Sequence, residues 1–331
     1  MFLLLTCNKL NVLKIRYSVP ALILFILIVF NSNKSYAQLA GSNVLGDAGL
    51  QSGSQASPSV MVYSPLYFYN AGKFKNGEGN EINISPDLNV FLTGIGASYV
   101  SNIKILKANW GASIFIPFMS NRIESRIVNG KTPFSFTDMY VQPIQLGWHT
   151  KKADFIAGYA LTLPTGKYEK GGNANTGLGM LSHEFSGGTT YFFDAEKSIH
   201  FSTLLAYEFH GKKKDSETKV GDILSIEGGL GKQWYKIKDG NPTAVFNAGM
   251  VYYMQFKTTS DYIPVGSGTL NLTNDHIYAL GAEANVVLIK KSMNVIGIRW
   301  LAEFEGVNRF QGNTIFITFA HIFSTAGKET K

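Results

Sequence analysis

The chain has 331 residues, of which 16% are charged, 45% hydrophobic and 13% aromatic, with 34 glycines and a formal net charge of +7. That charged fraction is well below the roughly 25% of a soluble domain, the hydrophobic content is too high for a disordered chain, and a single Cys excludes a disulfide framework or a Cys-rich metal centre. A mean hydropathy of +0.03 is too low for a bundle of membrane helices and fits a β-barrel with one face toward lipid and the other toward water.

Residues 1–37 read as a secretory signal. Lys9, Lys14 and Arg16 precede an apolar stretch from Ala21 to Phe30, and a polar stretch then leads to Ser35-Tyr36-Ala37, with cleavage expected after Ala37. The apolar stretch is shorter than the about 20 residues of a spanning helix. Gln38 follows the cut where a lipoprotein would have Cys. The signal holds Cys7 and four cations, Lys9, Lys14, Arg16 and Lys34, and no acid, so its removal lowers the net charge from +7 to +3. A surplus that small leaves no footprint for nucleic acid. Residues 38–57 are small, polar and Gly-rich, and read as a flexible periplasmic arm.

From Pro58 onward apolar and polar residues alternate, the period of a strand whose side chains point to opposite faces in turn. The alternation predicts strands at about 59–70, 86–100, 105–118, 135–149, 153–163, 180–193, 198–210, 219–235, 243–257, 276–289, 294–305 and 312–323. One face of the seventh carries Phe201, Leu205, Tyr207 and Phe209; the other carries His200, Ser202, Glu208 and His210. The eleventh sets Ile296, Ile298, Trp300 and Phe304 against Arg299 and Glu303. A soluble sandwich also alternates, but its strands average only about 5–6 residues. The connections at 101–104, 150–153, 194–197, 236–242 and 290–293 are short, whereas those at 72–84, 119–134, 164–179 and 257–274 are long and polar. Short periplasmic turns alternating with long external loops are the pattern of an outer-membrane barrel. The expected fold is therefore all-β: a transmembrane, antiparallel, up-and-down barrel of about twelve strands over 58–323, with a tail over 324–331. In the last strand Ile315, Ile317, Phe319 and Phe323 share a face, which resembles the C-terminal signal read by the barrel-assembly machinery. His321 interrupts that face, and eight residues follow Phe323.

Few residues point to chemistry. The Gly-rich strings at 171–179 and 228–233 lack the spacing of a phosphate loop. The six His residues have no metal-ligand spacing, so neither metal nor cofactor is expected. His200-Phe201-Ser202 with Glu208 resembles the His-x-Ser plus Glu arrangement of outer-membrane lipid A deacylases, which implies a lipid hydrolase. Against it, Glu208 lies six residues beyond Ser202 on one strand, too far to touch it at about 3.3 Å per residue.

A diffuse set carries more weight. Glu184, Glu208, Glu227, Glu283, Arg299 and Glu303 all fall on the polar face. Charge on a lipid face costs up to about 2–4 kcal/mol, so these side chains are expected to line the lumen. There they either pair and hold strands in register or set the polarity of a permeation path. Twelve strands leave a narrow lumen, between the filled interior of eight and the aqueous channel of sixteen. The readings are a channel for small solutes, a lipid-modifying hydrolase, or a structural or adhesive barrel presenting its loops. In each the chain has outer-membrane lipid as a partner.

Several strings, from Asp138-Met-Tyr-Val-Gln-Pro-Ile-Gln-Leu-Gly-Trp-His149 through Pro164-Thr-Gly-Lys-Tyr168 to Val220-Gly-Asp-Ile-Leu224, are similar to the outer-membrane transporter family named for the meta-pathway of phenol degradation. The similarity runs over about residues 47–323. It implies an outer-membrane barrel related in kind to fatty-acid and aromatic-hydrocarbon channels, passive uptake of small aromatic or hydrophobic molecules, and no catalytic residues. Tyr140 and Gln142 are expected to face the lumen, with Pro143 marking a bulge.

Overall fold

Alternation of this kind can satisfy backbone groups in lipid only if every strand has two neighbours and the sheet closes on itself. A computed structural model describes residues 39–172, 174–266, 268–272, 275–290 and 292–324; the signal over 1–37 and residues 325–331 of the tail lie outside them. The strands are β1 (Ser59–Phe74), β2 (Asp87–Ile105), β3 (Ala108–Glu124), β4 (Asn129–Phe136), β5 (Met139–His149), β6 (Ala153–Leu163), β7 (Ser182–Phe192) and β8 (Ile199–His210). They continue with β9 (Ile223–Lys238), β10 (Asn241–Lys257), β11 (Asp261–Val265), β12 (Gly268–Leu272), β13 (His276–Ile289), β14 (Met293–Val307) and β15 (Phe310–Ser324).

Chain neighbours pair antiparallel, and β1 pairs with β15 from Ser59 opposite Ser324 to Phe74 opposite Phe310, which closes the barrel. β4 and β5 both pair with β3, so they are two halves of one stave, and twelve staves make the wall. β11 and β12 form a separate hairpin within the long connection between β10 and β13. Two elements were hidden in regions expected to be irregular loops. β4 begins within 119–134, ends at Phe136 and pairs with the outer part of β3; Gly130 and Pro133 blur its period. The β11–β12 hairpin occupies 261–272, where Pro264 and the run Gly266-Ser267-Gly268 do the same. The bulge at Pro143 is present, with register shifts between Val141 and Ile144 on one side and Gly111 and Ser113 on the other.

Short turns at one end explain the register. Asp239 and Gly240 both have positive φ (52° and 78°) between the paired residues Lys238 and Asn241, the geometry of a tight hairpin turn matched to strand twist. We call this the inner end and the end with long connections the outer end. Outward side chains are apolar: Phe185, Phe201, Trp234, Met250, Ile298 and Phe304 are all exposed. Aromatic contacts gather toward the outer end, among them Tyr159–Phe185 at 5.1 Å, His183–Phe209 at 4.7 Å and Phe256–Tyr278 at 5.6 Å, which is the girdle position at a membrane interface. His321, the break in the last strand's apolar face, is paired with Asn294 at 2.8 Å near the inner end.

Candidate functional site

The inward faces of the strands carry the polar residues, and their partners come largely from the arm. Residues 38–57 read as a flexible periplasmic segment. Residues 39–57 lie instead inside the barrel, running from the outer end down to the start of β1. The physical reason is mutual need. The arm forms no ladder, so its backbone N–H groups must find acceptors, and inward carboxylates without cations must find donors.

The path can be followed bond by bond. At the outer end the Leu39 carbonyl accepts from Lys257 Nζ at 2.8 Å. Glu208 Oε1 accepts from the Ser42 N–H at 3.1 Å and from the Ser42 hydroxyl. In mid-lumen Glu227 receives two backbone N–H groups, Gly46 at 3.0 Å and Ala48 at 3.2 Å. Glu283 Oε2 accepts from the Leu50 N–H at 3.1 Å and from Arg299 Nε at 2.7 Å, and the Arg299 guanidinium also donates to the Gly46 carbonyl. Lower down, Ser202 Oγ donates to the Leu50 carbonyl at 2.6 Å and Ser54 Oγ to Asp154 Oδ2 at 2.9 Å. Gln55 Nε2 reaches the Gln145 carbonyl at 3.2 Å near the inner mouth.

Apolar contacts complete the fit. Leu45 and Leu50 pack with Val251, Tyr253, Ile277, Ala279 and Leu301 of the wall. Leu50 is 1% exposed, and burying one such side chain contributes about 1.5–3 kcal/mol. The arm's glycines permit the approach. Gly49 has φ +66°, and a Cβ there would lie 2.0 Å from Arg299 Nη2. A Cβ on Gly53 would lie 2.1 Å from the Thr189 backbone.

The six residues singled out from sequence are placed as follows. Glu227, Glu283 and Arg299 converge on Gly46–Leu50. Glu208 holds Ser42 and lies directly across from Glu184 in the β7–β8 ladder. Glu303 makes wall contacts: Tyr253 Oη donates at 2.7 Å, Tyr69 Oη at 2.9 Å and the Gly312 N–H at 2.6 Å. Glu184 is half-buried beside Tyr140. Asp47, in the arm, keeps its side chain open to the lumen and interacts with Arg299, Tyr63 and Tyr140. Asp47, Tyr63, Tyr140 and Glu184 thus share the space the arm leaves open. Sequence reasoning missed the arm because glycine and serine spell flexibility when no partner is visible.

The hydrolase constellation is not assembled. Ser202 is fully buried, its hydroxyl donates to the arm, and Glu208 is occupied by Ser42. Neither ring nitrogen of His200 has a protein partner. All three side chains face the lumen, away from lipid substrate. Among the described residues no group of three or more His, Cys, Asp or Glu could hold a metal ion.

The outer end is tied by buried ions. Lys257 Nζ lies 2.9 Å from Asp261 and 3.1 Å from Asp275, and Arg309 lies 3.2 Å from Asp275. The Gly221 N–H donates to Asp261 at 2.8 Å, which joins the loop after β8 to the β11–β12 connection. Lys213 donates to the Leu178 carbonyl at 2.8 Å, and burial pushes its ammonium below the usual lysine range against the pull of Asp138 and Asp261. At the inner end the Ser198 hydroxyl, followed by the Ile199 N–H, holds the Asp194 carboxyl below its usual range.

Residues 71–319 match the family described as "Putative MetA-pathway of phenol degradation". No curated protein matches the chain. Among solved structures, the COG4313 outer membrane channel from Pseudomonas putida F1 superposes with a TM-score of 0.65 at 10% identity, over 85% of this chain and 100% of that one. The beta domain of the Bordetella autotransporter BrkA has a TM-score of 0.47 at 11% identity, over 80% of this chain and 99% of that one. A Pseudomonas aeruginosa FadL homologue has a TM-score of 0.33 at 9% identity, over 80% of this chain and 90% of that one.

Proposed function

The chain belongs to the phenol-degradation family whose model it matches over 71–319, and we propose that it is an outer-membrane channel for small aromatic or hydrophobic solutes, narrowed at rest by its own residues 39–57. One observation supports this reading: a closed barrel with an apolar outer band encloses a polar lumen, and a strand-free segment, residues 39–57, occupies that lumen together with wall side chains. The P. putida channel, whose fold the chain shares, supports the transport class. The path runs where the arm leaves room, past Asp47, Tyr63, Tyr140 and Glu184. Tyrosine rings offer aromatic faces to an aromatic solute, and the carboxylates accept hydrogen bonds from a hydroxyl.

Liposome swelling with small phenols and sugars, compared between the full chain and a chain lacking 39–57, tests this reading. Uptake of phenols by the full chain and a rise for both solutes on deletion are expected. No permeability in either protein would sink the proposal. It would favour the structural reading, which the filled lumen also suits. The signal and the assembly route belong to the same proposal. N-terminal sequencing should find Gln38 first, and removal of Phe323 should impair insertion by the barrel-assembly machinery.

A further inference from the structure

The structure points to a second binding site, outside the lumen: we propose that the outer end of β1–β4 binds an acylated phosphoglycolipid of the outer leaflet. A groove of about 480 Å³ opens there, within the size range of small-molecule sites. Its apolar floor is Phe68, Phe91, Phe134 and Ile315, and its rim includes Asn70, Arg122 and Lys131.

Register fixes the face. Phe68 lies opposite Ile315 and Phe91 in its two ladders. Asn70 lies opposite Asn89, Asn89 opposite Arg122, and Arg122 opposite Lys131. Side chains opposite one another share a face, so floor and rim both point away from the lumen. Phe68 is 42% exposed and Phe134 54%. The floor is continuous, with ring centroids 5.1 Å apart for Phe68–Phe91 and 5.9 Å for both Phe91–Phe134 and Phe118–Phe134.

The rim supplies the charge. Arg122 and Lys131 are like charges directly opposite, an arrangement that favours an anion beside each of them. Arg122 is shared by Asp87 at 3.0 Å and Glu124 at 3.2 Å. Lys131 has no ion-pair partner among the described residues. An anionic headgroup above an apolar, lipid-facing floor matches a phosphorylated, acylated lipid: chains lie on the rings, and a phosphate oxygen accepts from Lys131. Height agrees as well. The groove lies at the end with long connections and is lined in part by the β3–β4 hairpin. The outer leaflet is the only leaflet at that level.

The test uses the full chain, freed of lipid in mild detergent, with native mass spectrometry and thermal unfolding as readouts. Ligands are diphosphoryl lipid A, its dephosphorylated form, phosphatidylglycerol and inorganic phosphate. Diphosphoryl lipid A should bind at one site, about tenfold tighter than either of the other lipids, and phosphate alone should not raise the unfolding temperature. Lys131→Glu should weaken lipid A binding roughly tenfold without changing the dephosphorylated form. Phe134→Ala should weaken both acylated glycolipids. Lys131→Ala serves if the charge reversal fails to fold, as judged by heat-modifiable gel migration. Equal binding of the phosphorylated and dephosphorylated lipids, unchanged binding in the Lys131 variants, or an equal effect of phosphate alone would each overturn the proposal.

Discussion

Glu227→Ala is the sharpest probe of the arm. The side chain accepts from two arm N–H groups, at 3.0 and 3.2 Å, and hydrogen bonds to a charged partner contribute about 1.5–3 kcal/mol each. Water in the lumen can take over the freed N–H groups, so the lower figure applies, and losing both costs about 3 kcal/mol. At about 1.4 kcal/mol per decade the released fraction of the arm rises roughly a hundredfold. The natural chain has one Cys, Cys7, in the expected signal, so an Ala48→Cys variant reports on the arm alone. Its labelling by a membrane-impermeant thiol reagent is expected to be slow in the parent and roughly a hundredfold faster with Glu227→Ala. Glu227→Gln keeps one acceptor and should give roughly a tenfold increase. Labelling of the double variant within about threefold of the parent, in a barrel shown to be folded by its gel migration, would refute the account of how the arm is held.

Four further outcomes follow from the same contacts. Gly49→Ala places a Cβ 2.0 Å from Arg299 Nη2 at φ +66°, and an overpacked site of this kind costs about 1–3 kcal/mol; conductance in single-channel recording should rise. Ser202→Ala removes its hydrogen bond to the Leu50 carbonyl and the one it accepts from the Ser52 hydroxyl, which can turn to the Glu227 carbonyl instead; the net loss is about 1 kcal/mol, so Ala48→Cys labelling should quicken roughly fivefold while a lipid hydrolysis assay reads the same with and without Ser202. Lys257→Ala leaves Asp261 buried without its cation, while Asp275 keeps Arg309; a loss of about 3 kcal/mol is expected, and protease should then cut the connection between β10 and β13 in intact cells. Lys212→Ala breaks only an exposed pair with Glu217 and should leave the temperature of heat-modifiable migration unchanged.

The wall was legible in the sequence because a strand's period is read directly from side-chain type. Residues such as Phe201, Leu205 and Phe209 face out, and His200, Ser202 and Glu208 face in, with no other fact needed. The inward position of the six charged residues follows from the same rule, since the cost of charge in lipid decides the face. What the period cannot state is the partner. Glu227 has no cation opposite it in either ladder, where Tyr253 and Leu204 are its neighbours, so it stood as an unpaired acid. Its donors lie 181 and 179 residues away in the chain, on a segment whose composition matches a linker. Leu45 and Leu50 were the available signal: together with Leu39 and Val44 they are the large apolar residues of an otherwise small and polar tract, which has no reason to carry them unless they are buried.

The two roles weighed for the lumen carboxylates, strand register and permeation, are divided unequally by this geometry. Glu303 is a register residue in full, because its three donors all belong to the wall. Glu283 is half so, since Arg299 holds it from the wall while Leu50 reaches it from the arm. Glu208 and Glu227 take donors from the arm and leave their own strands unlinked. In a soluble core such an arrangement would be permanent, because breaking it would strand a charge in a dry interior. In a polar barrel lumen that water can enter as the arm leaves, solvent replaces each lost partner, and the penalty shrinks from the cost of desolvation to the net value of a hydrogen bond. On the proposed reading, acids that grip a backbone rather than a cation hold residues 39–57 through many summed contacts, each weak enough to be peeled away in turn.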